Sequence, residues 1–215
     1  MLLSGRGELF GVDETGMLSF AVSSPEMELI SVVGFPTKEA ILDAFAANSN
    51  EAEILATPEN SKYVAETLPD WITSLATLHA LGGKPRLLAT SANVVRLLTL
   101  AEIKALTNLP LDLKEEFSTG CRYSPVAATI VEGAPVSFCY AGSQTESWWD
   151  ISIDTLAGYR NKGYAAACVI YMIELMSRQK KQPVWGAFET NEASLRLAAK
   201  LGFVAVDTIM VLQRK

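Results

Sequence analysis

One histidine, His79, stands in a chain of 215 residues, and that scarcity removes much of the catalytic repertoire. A Ser-His-Asp or Cys-His nucleophile would have to use this residue, which sits in the apolar run Leu75 to Leu81 and reads as a packed strand position. A His-rich zinc site is excluded, and no metal is expected. Cysteine is as sparse: Cys121, Cys139 and Cys168 are scattered, with no C-x-x-C pair and no disulfide framework. A reducing cytoplasm fits that usage. Positive charge is thin, with 18 Lys and Arg against 24 Asp and Glu, a net charge of −6 and no cluster larger than Lys180-Lys181. A nucleic-acid binder would carry a basic face, so that class is not expected. The best apolar stretch, Tyr164 to Met176, is too short to span a bilayer and contains Glu174, so no membrane role is expected. Met1-Leu2-Leu3-Ser4 breaks at once into Gly5-Arg6-Gly7-Glu8, which argues against a secretory signal. Neither G-x-x-x-x-G-K-[ST] nor G-x-G-x-x-G after a strand occurs, which excludes a Walker A loop and a Rossmann fingerprint.

What is present describes an ordered globular protein, 49% apolar and 20% charged, long enough for one large or two small domains. In the first half, Glu8 to Val12, Met17 to Val22 and Glu28 to Val33 read as antiparallel strands, with a turn at Asp13-Glu14-Thr15-Gly16. A helix from Lys38 to Ala47 follows, with Thr37 as its N-cap. Glu53 to Ala56 is a strand. Asn60 or Ser61 caps a helix that runs to Thr67 and stops at Pro69, and Ile72 to Leu81 is a strand. Arg86 to Thr90 is a further candidate strand. A domain boundary falls near residues 90–110, drawn as 1–93 and 94–215.

The second half is clearer. Val94 to Leu98 is a strand, and Leu100 to Leu106 and Leu111 to Phe117 are short helices. Val126 to Val131 and Pro135 to Tyr140 form a hairpin around Glu132-Gly133-Ala134. On the next strand, Trp148 to Leu156, alternation sets Trp149, Ile151, Ile153 and Thr155 against Asp150, Ser152 and Asp154, an apolar side and a polar side. A long helix opens at Gly163 and ends in the cations Arg178, Lys180 and Lys181, which suit a helix C-terminus. The strand Pro183 to Glu189, the helix Asn191 to Leu201 with Gly202 as its stop, and the strand Val204 to Leu212 complete the chain. Both halves run strand, turn, helix, strand, helix, strand. The first half is therefore either a smaller α/β module or a degenerate repeat of the second. Only the second half carries the turn Arg160-Asn161-Lys162-Gly163-Tyr164-Ala165. That turn admits two readings. It is a plain strand-to-helix connection with two solvated cations, or it aims backbone N–H groups, Arg160, Lys162 and a helix N-terminus at a diphosphate.

The strand Ile153-Asp154-Thr155, the R-x-x-G-x-A turn from Arg160 to Ala165, and a later helix with Asn191 and Ser194 that ends in Leu201-Gly202-Phe203 resemble the GNAT N-acetyltransferase superfamily in order and spacing. Pro135 to Tyr140 followed by Ile151 to Thr155 is similar to a bacterial branch with an extra N-terminal α/β domain. The resemblance implies an α/β fold with a mixed, mainly antiparallel sheet in the C-terminal half and an acyl-CoA N-acyltransferase activity. It implies acetyl-CoA as cofactor. Ile153, Asp154 and Thr155 would offer backbone groups to the pantetheine arm. Arg160, Asn161, Lys162, Gly163, Tyr164, Ala165 and Ala166 would wrap the pyrophosphate, and Asn191 and Ser194 would reach the thioester region. Asn191 also reads as a simple helix cap, and Ser194 as tight helix–strand packing.

The superfamily's thiolate-protonating tyrosine falls on Ala198 and its general-base glutamate on Trp149. Candidates for the proton transfer are Glu146, Asp150, Glu189 and Asp154, each also readable as a solvated or paired strand-end carboxylate, with Tyr140 and Tyr164 as proton donors. Trp148, Trp149 and Trp185 either line the acceptor pocket or pack the core. The expected acceptor is a small-molecule or peptide primary amine, with the acidic balance favouring a cationic one. Two other readings are a non-catalytic acyl-CoA-binding or regulatory protein and an interaction module in the N-terminal half.

Overall fold

Alternating apolar residues and short turn signals organise the described residues into eleven strands and six helices, together with two 3-10 turns. The computed structural model describes residues 7–11, 19–68, 70–86, 94–107 and 109–214. The expected turn at Asp13 to Gly16, the stop at Pro69, the strand following Arg86 and the 93/94 boundary fall wholly or partly outside these residues. Two compact units form. The first comprises Met1–Leu78, Ala187–Glu192 and Ala205–Lys215, and the second His79–Gly186 and Ala193–Val204.

In the first unit, β1 (Glu8–Phe10), β2 (Phe20–Ser24) and β3 (Leu29–Val33) make an antiparallel meander. Helix α1 (Lys38–Ala46), capped by the Thr37 hydroxyl at 3.2 Å from Ala40 N, crosses over to β4 (Glu53–Ala56). β4 runs parallel to β3 in unbroken register from Leu29↔Glu53 to Val32↔Ala56. Helix α2 (Ser61–Thr67) and β5 (Trp71–Leu81) follow. The last strand, β11 (Phe203–Arg214), returns here to pair antiparallel with β4, Met210 opposite Ala56. Strand order is β1-β2-β3-β4-β11-β5. Ile30, Ile41, Ile54, Val64 and Leu212 form the core. Asn60 does not cap α2 with its side chain. It is buried, and its amide donates instead to the carbonyls of Val32 (3.2 Å) and Gly34 (2.7 Å), fastening the end of β3.

The second unit orders its strands β10 (Gln182–Phe188), β9 (Trp148–Thr155), β8 (Ala134–Gln144), β7 (Val126–Val131) and β6 (Val94–Leu98). β6 to β9 are antiparallel neighbours, and β9 and β10 are parallel. Glu132 and Gly133, both at positive φ (50° and 83°), turn β7 into β8 as a two-residue loop that matches strand twist. Helix α3 (Leu100–Ala105) opens with a capping box between Thr99 and Glu102, and α4 (Leu111–Gly120) buries Phe117 against Phe138 and Tyr140. Helix α5 (Tyr164–Ser177) packs on β7, β8 and β9. Its last turn is closed by Lys181 N donating to Met176 O at 3.2 Å, with Lys180 at φ 61°. Helix α6 (Glu192–Leu201) buries Ala198 and Leu201, and Gly202 ends it at φ 96°. His79 is buried, with Nδ1 3.2 Å from the Trp185 carbonyl oxygen, a packed strand residue.

Candidate functional site

Two neighbouring parallel strands part company in the second unit. β9 and β10 are in register only at Gln182↔Trp148, Pro183↔Trp149 and Val184↔Asp150. β9 continues for five more residues to Thr155, keeping β8 as its neighbour as far as Ser137↔Thr155. Parallel strands normally continue their ladder, as β3 and β4 do. A fork therefore opens beside Ile151 to Thr155. On the β8 side the Asp154 carbonyl accepts from Ser137 Oγ (3.2 Å), and at the end of β9 the Thr155 carbonyl accepts from Arg160 Nε (3.1 Å).

Beyond the fork a 3-10 turn, Ala157–Tyr159, leads into the start of α5. Asn161 and Gly163 both take left-handed backbone, at φ 61° and 82°. Glycine adopts this region without a Cβ penalty, and asparagine tolerates it. No side chain caps α5, its first turn holds no acidic residue, and Ala167 N makes the bond back to Gly163 O. The N–H groups of Tyr164, Ala165 and Ala166 precede that bond, so the helix gives them no internal partner. Arg160, Asn161 and Lys162 are exposed, and Lys162 Nζ lies 5.4 Å above the Tyr159 ring. Thr129 Oγ1 donates to Tyr164 O at 2.9 Å and ties this end of the helix to β7. Positive helix end, uncommitted N–H groups and two exposed cations suit a diphosphate group.

The polar side of β9 is half-buried rather than open to water: Asp150, Ser152 and Asp154 are all of intermediate exposure. Burial pushes the Asp150 carboxyl up from 3.8 to about 6, against the opposing pull of hydrogen bonds from the backbone N–H groups of Gly186 and Ile151. Asp154 is raised by burial and by the nearby Glu116 carboxylate, while Arg160 lowers it. Tyr140, buried on β8, donates its hydroxyl to Glu116 Oε1 of α4, and burial and that carboxylate raise the phenol further. Residue periodicity gave no sign of Glu116, because a glutamate on an exposed helix face looks like any solvated charge. Gly142 and Gly186, single glycines inside strands, were the readable hints of close approach around Asp150.

The other candidates disperse. Glu146 is exposed in the turn between β8 and β9. Glu189 and Asn191 belong to the first unit, where their N–H groups donate to Leu75 O (3.3 Å) and Phe188 O (2.9 Å). Ser194 Oγ accepts from Trp185 Nε1 at 2.8 Å, which gives it a packing role. Trp149 and Trp185 are each 1% exposed and belong to the core, whereas Trp148 is 42% exposed. Tyr164 is half-buried, its ring 6.3 Å from that of Tyr159. Cys139 and Cys168 are buried and their thiols are raised by burial, which leaves them poor nucleophiles.

No helix among the described residues is long and apolar enough to cross a membrane. No curated protein matches the chain. Among solved structures the chain is similar to a GCN5-related N-acetyltransferase-like protein from Streptococcus suis, at 18% identity and a TM-score of 0.72 over 98% of this chain and 89% of that one. It is similar to a GCN5-related N-acetyltransferase from Kribbella flavida, at 14% identity and a TM-score of 0.66 over 97% and 89%. It is also similar to a functionally unknown conserved protein from Staphylococcus epidermidis, at 11% identity and a TM-score of 0.64 over 94% and 93%. Identities this low show a shared fold. The sequence itself matches the model of the GNAT acetyltransferase family over residues 109–212.

Proposed function

We propose that the chain is an N-acyltransferase that takes an acetyl or related acyl group from acyl-CoA and passes it to a primary amine. The observation that carries this reading is the fork: β9 leaves β10 after Asp150↔Val184 and leads, through the 3-10 turn Ala157–Tyr159, to the uncapped, Gly163-led start of α5. In this reading Arg160, Lys162 and the N–H groups of Tyr164 to Ala166 hold the pyrophosphate. The backbone of Ile153 to Thr155 takes the pantetheine arm in place of a neighbouring strand, with Arg160 yielding the Thr155 carbonyl. Acyl-CoA supplies an activated thioester, and the protein contributes chiefly alignment, which can account for much of the rate.

The amine must be neutral to attack. Its proton leaves through water or through a carboxylate reached by water. Asp150, Asp154 and the α4 residues Asp112 and Glu116 make the polar side of β9 acidic, which favours a cationic amine as acceptor. The free thiols of Cys121, Cys139 and Cys168 suit a reducing compartment such as the cytoplasm. A second reading has its own support: Ala198 and Trp149 stand where the superfamily places its acid and base, and both are buried. That favours a non-catalytic acyl-CoA-binding protein.

One experiment separates them. Calorimetry with CoA should show binding that Arg160→Glu weakens by about tenfold or more. Thiol release from acetyl-CoA is then followed across a panel of amines and peptides. Turnover supports the enzyme, and tight CoA binding without turnover on any amine supports the second reading. CoA binding that is indifferent to Arg160→Glu contradicts the placement of the cofactor.

A further inference from the structure

We propose that Asp150 is a positioning residue whose carboxylate fixes the point at which β9 and β10 separate, and so fixes the mouth of the slot for the acyl-donor arm. The inference deepens the acyl-CoA reading and rests on it for the identity of the arm. Asp150↔Val184 is the last registered pair of the two strands. The two N–H groups that flank this vertex, Ile151 on β9 and Gly186 on β10, both donate to the Asp150 carboxylate. In a continuing parallel ladder such groups would bond carbonyls on the opposite strand. A carboxylate is a stronger acceptor than an amide carbonyl. With both N–H groups satisfied by a side chain, closing the fork by another rung has no unpaired donor to drive it.

The third strand is shaped to admit this side chain. β8 opposes β9 at Ala141↔Ile151 and again at Gln144↔Trp149, so Gly142 and Ser143 stand together against Asp150 as a bulge. A Cβ on Gly142 would lie 2.5 Å from Ser152 Oγ and 3.3 Å from Asp150 Oδ2. Glycine at 142 leaves the carboxylate its place. Bulge, glycine and fork thus converge on one residue.

The test uses the full chain with three variants and three readouts: amide hydrogen exchange at Ile151 and Gly186, CoA affinity by calorimetry, and kcat against KM for acetyl-CoA. Asp150→Ala should expose both amides to exchange, weaken CoA by about tenfold and raise KM more than it lowers kcat. Asp150→Asn keeps an oxygen acceptor at the same place and should restore most of the protection and most of the affinity. Gly142→Ala, which leaves the carboxylate present but crowds it, should shift all three readouts in the direction of Asp150→Ala and serves if that variant does not fold. Unchanged exchange at both amides in Asp150→Ala overturns the proposal. So does an Asp150→Asn enzyme that binds CoA normally yet has lost turnover, because that outcome marks a proton acceptor. Failure of the unaltered chain to bind CoA refutes the cofactor reading, while the exchange measurement still decides whether Asp150 holds the fork.

Discussion

Two glycines with nearly the same backbone angle offer a controlled perturbation of the proposed phosphate site. Gly163 precedes α5 at φ 82°, and Gly133 turns β7 into β8 at φ 83°. Any L-residue placed in this left-handed region costs about 1–2 kcal/mol, so Gly163→Ala and Gly133→Ala should lose similar stability. For a chain of this length that corresponds to a fall in Tm of roughly 2–8 °C, taking about 2–4 °C per kcal/mol. Neither change should unfold the protein, since small proteins usually hold about 5–15 kcal/mol in reserve. The two sites differ in function. A Cβ on Gly133 meets nothing within 4 Å. Gly163 is the N-cap residue directly before the N–H groups of Tyr164, Ala165 and Ala166, where a diphosphate would need close approach to the backbone. Gly163→Ala should therefore weaken CoA by about tenfold, near 1.4 kcal/mol, and Gly163→Val by more, while Gly133→Ala leaves the affinity where it was. Urea melts give the stability arm and calorimetry the binding arm. Equal loss of affinity in both alanine variants would show that strain alone explains the effect. No loss at Gly163 would remove the pyrophosphate from this turn.

Two further outcomes follow from the site. The Asp150 carboxyl is raised from 3.8 to about 6 in the folded chain, so the native state holds its proton more tightly than the unfolded state does. Its contribution to stability is complete below about pH 4 and is lost as pH rises through about 6, a swing of up to about 3 kcal/mol. Denaturant melts at several pH values should show the unaltered chain losing stability relative to Asp150→Asn across that window; a difference that stays flat with pH refutes the shift. Ser194→Ala removes the acceptor for the indole N–H of Trp185, which is 1% exposed, and should cost about 1–3 kcal/mol in the same assay. A change within error would mean that the indole finds another partner.

Much of the local structure was legible from residue order. The strands Glu53–Ala56, Val94–Leu98 and Val126–Val131 have the ends that their apolar patterns and flanking turn residues indicate. The Thr37 cap, the Glu132-Gly133 turn and the start of α5 after Gly163 depend on chemistry within a few residues, so a short window contains their causes. The same locality made the Arg160 to Ala165 turn readable as a candidate anion cradle before any tertiary contact was known.

Burial and strand partnership depend on residues far apart in sequence, and there the reading from sequence alone stopped. Asn60 looked like a helix cap, but its amide is used across 28 positions to hold the Val32 carbonyl. Glu146, Asp150 and Glu189 were indistinguishable as strand-end carboxylates. Asp150 is half-buried, with the Gly142 bulge and Ser152 beside it, whereas Glu146 and Glu189 are exposed. Nothing in the β11 sequence announced that Ala205–Lys215 would join the first unit beside β4. Thus the sequence determined which segments are strands and helices and where a phosphate-compatible turn lies, since backbone propensity and turn geometry are short-range. The tertiary structure decided where β9 and β10 separate and which carboxylate sits at that point, since those outcomes come from pairing and desolvation summed over distant neighbours.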